Sequence, residues 1–151
     1  MKYAETNNLF GDFQGAFRKG RRCEDHVFTL KGIAAIRKSQ GKKTYLSFLD
    51  ISKAFDSLHR PSLLRTVWSK GIQGKAWRLI HMLYRRVDNK VIFGNFDSDF
   101  YTVTNGVKQG CVLSPCLFNL VMSDLDTMLA STKGVSVGGR KITSLCYADD
   151  I

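Results

Sequence analysis

Two runs of β-forming residues end in acids, and that pairing constrains the chain more than any other feature of it. The first, TYLSFLD, closes on Asp50, with Asp56 following in the same stretch; the second, SLCYADD, closes on Asp149 and Asp150. A run that short, apolar on both faces and rich in β-formers reads as a central strand covered on each side. Asp50 then stands at the C-terminal end of such a strand. The later run reads as one arm of a hairpin, with residues 135–137, a Gly138-Gly139 turn and residues 141–148 leading to the acidic pair. An Asp-Asp pair in a turn is common, because Asp is at home there. Adjacent aspartates are otherwise solvated or neutralised by a cation.

Between these runs the periodicity is helical. Residues 24–39 carry Val27, Phe28, Leu30, Ile33, Ala34 and Ile36 at helical spacing behind Glu24 and Asp25, and Gly41 closes the segment. Pro61 suits the first turn of a helix with Leu63, Leu64, Val67 and Trp68, stopped by Gly71. A further helix spans residues 75–86, with Trp77, Ile80, Leu83 and Tyr84 on its inner face. Residues 91–93 and 100–104 alternate as two strands around Gly94-Asn95. Ser114 caps and Pro115 opens a long helix with Leu117, Phe118, Leu120, Val121, Leu125 and Met128 inward, ending before Gly134. Strands partly in hairpins and mixed with helices predict an α+β fold, an antiparallel sheet covered by helices.

The 151 residues suit a single domain, and a 44% hydrophobic content suffices for a core. Lys and Arg number 23 against 13 acids, a net charge of +10, which favours polyanionic partners. The excess is uneven. Residues 18–43 hold nine Lys/Arg against two acids and residues 60–90 hold eight against one, so two basic segments flank Asp50. The opening residues lack the apolar stretch of a secretory signal and no run is long enough to span a membrane, so an intracellular protein, nuclear or cytoplasmic, is expected without membrane contact. Cys23, Cys111, Cys116 and Cys146 form no CxxC pair, and His26, His59 and His81 have no metal-ligand spacing; reduced thiols and ordinary histidines are expected.

Four blocks occur in order: FQGAFRKGRRCEDHVFTL, FLDISKAFD, NGVKQGCVLSPCLFN and YADD. Together they resemble successive blocks of reverse transcriptases of the non-LTR (LINE-type) retrotransposons. The resemblance implies an RNA-directed DNA polymerase that adds deoxynucleotides from their triphosphates to a DNA primer on an RNA template. It implies a polymerase palm with part of the fingers, residues 1–43 being fingers-proximal and residues 44–151 palm, cut after the YADD turn and without a thumb. Asp50, Asp149 and Asp150 match the acids that hold two Mg²⁺ ions, for which Mn²⁺ is a substitute. Phe55 matches an aromatic that excludes a ribose 2′-hydroxyl, and Gln109 and Gly110 match a pair lying against the incoming nucleotide. Arg18, Lys19, Arg21 and Arg22 match basic residues that meet the nucleic-acid backbone. Asp56 reads as structural. An RNA-dependent RNA polymerase palm shares the acid geometry, but its second Asp and GDD turn are replaced here by Phe55 and YADD. From another class, a catalytically inactive nucleic-acid-binding remnant of a retroelement carries the same residues. As a stretch of 151 residues alone the chain is expected to be inactive and poorly soluble, its last turn fraying for want of a return strand.

Overall fold

The computed structural model describes residues Met1–Ile151, which gather into two compact units, Met1–Ile51 with Asn119–Ile151, and Ser52–Phe118.

In the first unit, a short α1 (Lys2–Thr6) precedes a coil, and α2 (Cys23–Ser39) follows. Asp25 accepts the backbone N–H of Arg22 at 2.8 Å, which satisfies a free donor at the α2 N-terminus. At its other end Gly41 takes φ +65°, and the Gly41 and Lys42 N–H groups donate to Lys38 and Arg37 carbonyls at 3.0 and 2.9 Å. That is the left-handed closure which glycine permits without a Cβ clash. The expected inner face of α2 is mostly in solvent: Ile33 is buried, but Phe28 is 80% exposed, and Val27 and Ile36 are exposed too. Periodicity located the helix and overstated its packing.

The stretch before Asp50 departs furthest from expectation. Residues 42–49 belong to no ladder, and Tyr45 and Phe48 are 87% and 79% exposed. The expected two-faced burial is absent, and pairing begins only at its end, where Leu49 and Asp50 meet a neighbouring segment. The unit's remaining strands are β5 (Val135–Val137) and β6 (Arg140–Ile142), paired antiparallel around Gly138 and Gly139. Both glycines have positive φ, as a twist-compatible two-residue hairpin turn requires.

The second unit opens with a single turn, α3 (Ala54–Ser57), then α4 (Arg60–Ser69) with Pro61 in its first turn, and α5 (Gly74–Arg85) packed on α4. Leu63, Val67, Ile80 and Tyr84 are buried, whereas Trp68 and Leu83 remain about half exposed. One hairpin follows. β2 (Ile92–Phe93) and β3 (Phe96–Asp97) pair directly across Gly94-Asn95, and β1 (Asp88–Asn89) pairs with β4 (Tyr101–Thr102) beyond them. The turn is where the sequence places it, but the innermost partner is β3, nearer than the expected residues 100–104.

The long helix α6 runs Ser114–Ala130. Leu117, Phe118 and Leu120 are buried as expected, Val121 and Leu125 only partly so, and Met128 is 70% exposed. The Ser114 hydroxyl donates to the Lys108 carbonyl at 2.6 Å and lies 3.2 Å from the Tyr84 hydroxyl, so it anchors the preceding loop in place of the expected cap. The fold is α+β with antiparallel pairing throughout its named strands, as three two-stranded ladders and not as one continuous sheet. No helix is long and apolar enough to cross a membrane.

Candidate active site

The acids from the two ends of the sequence meet in the first unit. Leu49 N–H donates to the Ile151 carbonyl at 2.8 Å and Ile151 N–H returns to Leu49 at 2.9 Å, and one step along Asp50 faces Asp150 in an antiparallel bridge. Because Leu49–Ile151 is the hydrogen-bonded pair, Asp50–Asp150 is the non-hydrogen-bonded one. In that position side chains project from the same face and stand closest. Two carboxylates placed so repel one another unless a cation or water screens them.

Asp150 also pairs on its other side. Tyr147 N–H donates to the Asp150 carbonyl at 2.9 Å and Asp150 N–H to Tyr147 at 3.2 Å, leaving Ala148 and Asp149 as a two-residue turn. Ala148 takes φ +57° and Asp149 does not share the sign, the pattern of a turn that prefers glycine first. A Cβ in that conformation costs on the order of 1 kcal/mol or more. Beyond Tyr147, Cys146 N–H donates to the Phe13 carbonyl at 3.0 Å and Gly15 N–H to Cys146 at 2.8 Å, a parallel bridge centred on Gln14. The result is a miniature sheet in which segments 49–51, 150–151, 146–147 and 13–15 lie side by side. The expected fraying of the last turn is therefore corrected, since Asp150 and Ile151 are themselves the return segment and are tied to Leu49.

Asp50 and Asp150 are exposed and Asp149 is partly so. No three acidic, cysteine or histidine side chains form a ready metal cage. Mg²⁺ does not need one, since it keeps waters and takes one or two carboxylates along with substrate phosphates. A cross-strand pair of aspartates with a third in the adjoining turn fits that demand.

Several residues that support this sheet carry no obvious signal in the sequence. Gln14 is 3% exposed, and its amide accepts Ala148 N–H at 2.9 Å while donating to the Ala148 carbonyl at 3.0 Å. Asp126, 8% exposed on α6, accepts Phe13 N–H at 3.2 Å and the Ser144 hydroxyl at 3.3 Å. Asn119 donates to the Ala16 carbonyl at 2.8 Å. Gly15 has no room for a side chain, because a Cβ would stand 2.9 Å from the His26 ring and 3.3 Å from Tyr147. Burial, with Arg21 nearby, holds His26 below the usual imidazole range. Burial, then the Asp126 charge, pushes the Cys146 thiol up to about 11.

The four basic residues of the first block divide. Arg18 turns inward: its guanidinium pairs with Glu5 at 2.8 Å, donates to the Gly11 carbonyl at 2.7 Å and lies over the Phe10 ring. That pairing holds the Glu5 carboxyl below its ordinary range. Arg21 donates to the carbonyls of Asp12 and Gln14. Lys19 and Arg22 are exposed and turn no such network inward.

The second unit holds the other expected residues. Phe55 stacks on Phe118 with centroids 4.6 Å apart and planes 10° from parallel, and is half-buried. Gln109 donates through its side-chain amide to the Asp56 carboxylate at 2.9 Å, which gives Asp56 a defined partner. Both line an open depression of about 760 Å³ with Arg60, Arg86 and Lys108. Gly110, at φ +81°, has open space where a Cβ would be.

Compared with known proteins, the chain matches over residues 1–151 the family described as reverse transcriptase (RNA-dependent DNA polymerase). It is 34% identical over 128 residues, 83% of its length, to a retrovirus-related Pol polyprotein from the type-1 retrotransposable element R2 of Popillia japonica. It is 31% identical over 129 residues, 85% of its length, to the polyprotein from type-2 element R2DM of Drosophila melanogaster. The RNA-directed DNA polymerase from mobile element jockey of Drosophila funebris is 32% identical over 149 residues, 97% of the chain. The chain spans 21%, 12% and 16% of the length of these relatives. A match along every residue, with retrotransposon relatives on both the R2 and the jockey side, places the chain in the reverse transcriptase family, among its non-LTR retrotransposon members.

Proposed function

We propose that the chain is the acid-bearing palm, with adjoining fingers residues, of an RNA-directed DNA polymerase working inside the cell on an RNA template, a DNA primer and deoxynucleoside triphosphates. The observation that carries this reading is the facing of Asp50 and Asp150 across a non-hydrogen-bonded rung, with Asp149 in the turn beside them. Asp50, Asp149 and Asp150 hold two Mg²⁺ ions, with Mn²⁺ as a substitute. When bound, such ions lower the pKa of the primer 3′-hydroxyl and neutralise the leaving pyrophosphate. The chain's own contribution is to keep carboxylates on adjacent segments at fixed register, so that little reorganisation accompanies reaction.

Phe55 excludes the ribose 2′-hydroxyl, its ring braced by Phe118 so that it does not swing aside. Gln109 and Gly110 meet the incoming nucleotide, where the amide hydrogen-bonds without adding charge and the bare Gly backbone allows close approach. Lys19 and Arg22 meet phosphates directly, whereas Arg18 and Arg21 shape the loop that carries them. In a polymerase that contains this chain, Asp50→Asn or Asp149→Asn should lower RNA-templated primer extension by roughly a thousandfold while primer-template affinity stays within about twofold. Extension by Asp149→Asn within tenfold of the parent would overturn the assignment of Asp149 to the metal site, whereas a parent that binds primer-template and extends nothing would favour the alternative, a nucleic-acid-binding remnant without catalysis.

A further inference from the structure

We propose that Gln14 is a positioning residue for the acidic turn: its side-chain amide grips both peptide groups of Ala148 and holds the left-handed backbone that presents Asp149 and Asp150 to Asp50. The proposal rests on the metal-site reading above and adds a residue to it. Gln14 lies 134 positions from Ala148 in the chain, so the grip is tertiary and not a feature of the turn itself.

The geometry is complete on both sides of the amide. Gln14 Oε1 accepts Ala148 N–H and Ala16 N–H, each at 2.9 Å, and Nε2 donates to the Ala148 carbonyl at 3.0 Å. Ala148 thus has donor and acceptor both satisfied by one side chain, at a residue whose φ of +57° a non-glycine residue resists. A primary amide of this reach offers a donor and an acceptor together; an ionised carboxylate has no donor, and a thioether has no donor and only a weakly accepting sulfur. Backbone strain persists where surrounding groups over-determine it, and here the over-determining group is identifiable.

Gln14 is itself held. Its own carbonyl receives the Arg18 and Arg21 guanidinium groups, each at 3.4 Å, and Arg18 is anchored further to the Gly11 carbonyl and Glu5. Two residues on, Asn119 secures the Ala16 carbonyl at 2.8 Å, while the parallel bridge ties Gln14 to Cys146. The basic block thereby acts through its inward-facing members on the turn that carries the acids. That is a different role from contacting phosphate.

The test uses the 151-residue chain, with amide hydrogen exchange at Ala148 and Mn²⁺ titration followed by electron paramagnetic resonance. Gln14→Met should speed Ala148 exchange by roughly tenfold or more, because a two-sided grip is lost. Gly15 and Cys146 amides, bonded to backbone, should keep their protection. The same variant should weaken Mn²⁺ binding by about fivefold to tenfold, an effect that a merely structural side chain in a still-protected sheet would not produce. Should Gln14→Met also unprotect Gly15 and Cys146, Gln14→Glu decides. It keeps an acceptor for both N–H groups but no donor for the Ala148 carbonyl, so Ala148 should stay slow while Mn²⁺ still weakens. Unchanged Ala148 exchange in Gln14→Met, or parental Mn²⁺ affinity in Gln14→Glu, would overturn the proposal. A parent chain whose Mn²⁺ binding is indifferent to Asp50→Asn would instead sink the metal-site reading, and the Ala148 exchange rate would still decide whether the grip exists.

Discussion

At the scale of single residues, Phe55 packs against a neighbour and is proposed to select the sugar. Phe55 stacks on Phe118, so removing its ring should reveal both roles. Phe55→Ala should cost about 2 kcal/mol of stability, less than for a fully buried ring because Phe55 is half-buried. In a polymerase that contains this chain it should also raise ribonucleotide use relative to deoxynucleotide use, since rejection by collision is lost with the ring. Denaturation midpoints check the first effect, and kcat/KM for the two nucleotides checks the second. An unchanged nucleotide ratio beside a lowered midpoint would leave only packing.

Cys146 gives a pH signature of the same sheet. Its thiol is held up at about 11 by burial and by Asp126, against 9.0 for an ordinary thiol. The unfolded chain therefore ionises first, and above pH 9 it gains stability that the folded chain does not share. The thiol's contribution should be flat below about pH 8 and should lower stability by up to about 2 kcal/mol as pH rises towards 11, an order-of-magnitude figure. Cys146→Ala should remove that share of the slope in pH-dependent urea denaturation. An identical slope in the variant would show that burial does not hold the Cys146 thiol up.

At the scale of elements, what could be read from the sequence was whatever local chemistry determines. Gly41 and Gly71, both at positive φ, end α2 and α4 where they were expected, and Pro61 sits in the first turn of α4. Gly94-Asn95 and Gly138-Gly139 turn where glycine makes a turn easy. Burial was legible where α4 and α5 pack on one another, at Leu63, Val67, Ile80 and Tyr84, and along part of α6, at Leu117, Phe118 and Leu120. The apolar stripe of α2 and the run before Asp50 look like core by composition, yet Phe28, Tyr45 and Phe48 are in solvent. Periodicity reports which face a residue occupies; it does not supply a neighbour to cover that face. The acids were legible as motif residues. Gln14, Asn119 and Asp126 were not, because a polar side chain far away in sequence shows its purpose only when folding brings the carbonyl or N–H to it.

The basic elements make a separable prediction. Arg18 is engaged with Glu5, Gly11 and Phe10, while Lys19 and Arg22 are exposed. Reversing Lys19 and Arg22 to Glu should flatten the dependence of nucleic-acid affinity on salt by about two phosphate contacts' worth of slope, with stability little changed. Arg18→Ala should do the opposite, lowering stability by roughly 1 to 3 kcal/mol through the orphaned Gly11 carbonyl and Glu5 carboxylate. Paired salt titrations and denaturation curves check both. Equal slopes for the Lys19/Arg22 double variant and the parent would return these side chains to a solvated surface.

At the scale of the whole molecule, two segments distant in sequence must meet before any chemistry is available. Residues 49–51 and 146–151 join through few backbone hydrogen bonds, and Phe13 to Gly15 extend the same miniature sheet. Large aromatic side chains elsewhere, among them Phe28, Phe48, Phe93 and Phe96, are about four-fifths exposed. Asp50 and the Asp149-Asp150 turn are proposed to form one cation site. Mn²⁺ titration of the 151-residue chain, followed by electron paramagnetic resonance, tests it most directly. Mn²⁺ binding should be saturable, displaced by Mg²⁺, and weakened by roughly tenfold or more by Asp50→Asn and by Asp149→Asn, with the double variant no worse than additive, since both act on one site. Mn²⁺ binding that neither substitution alters would contradict it.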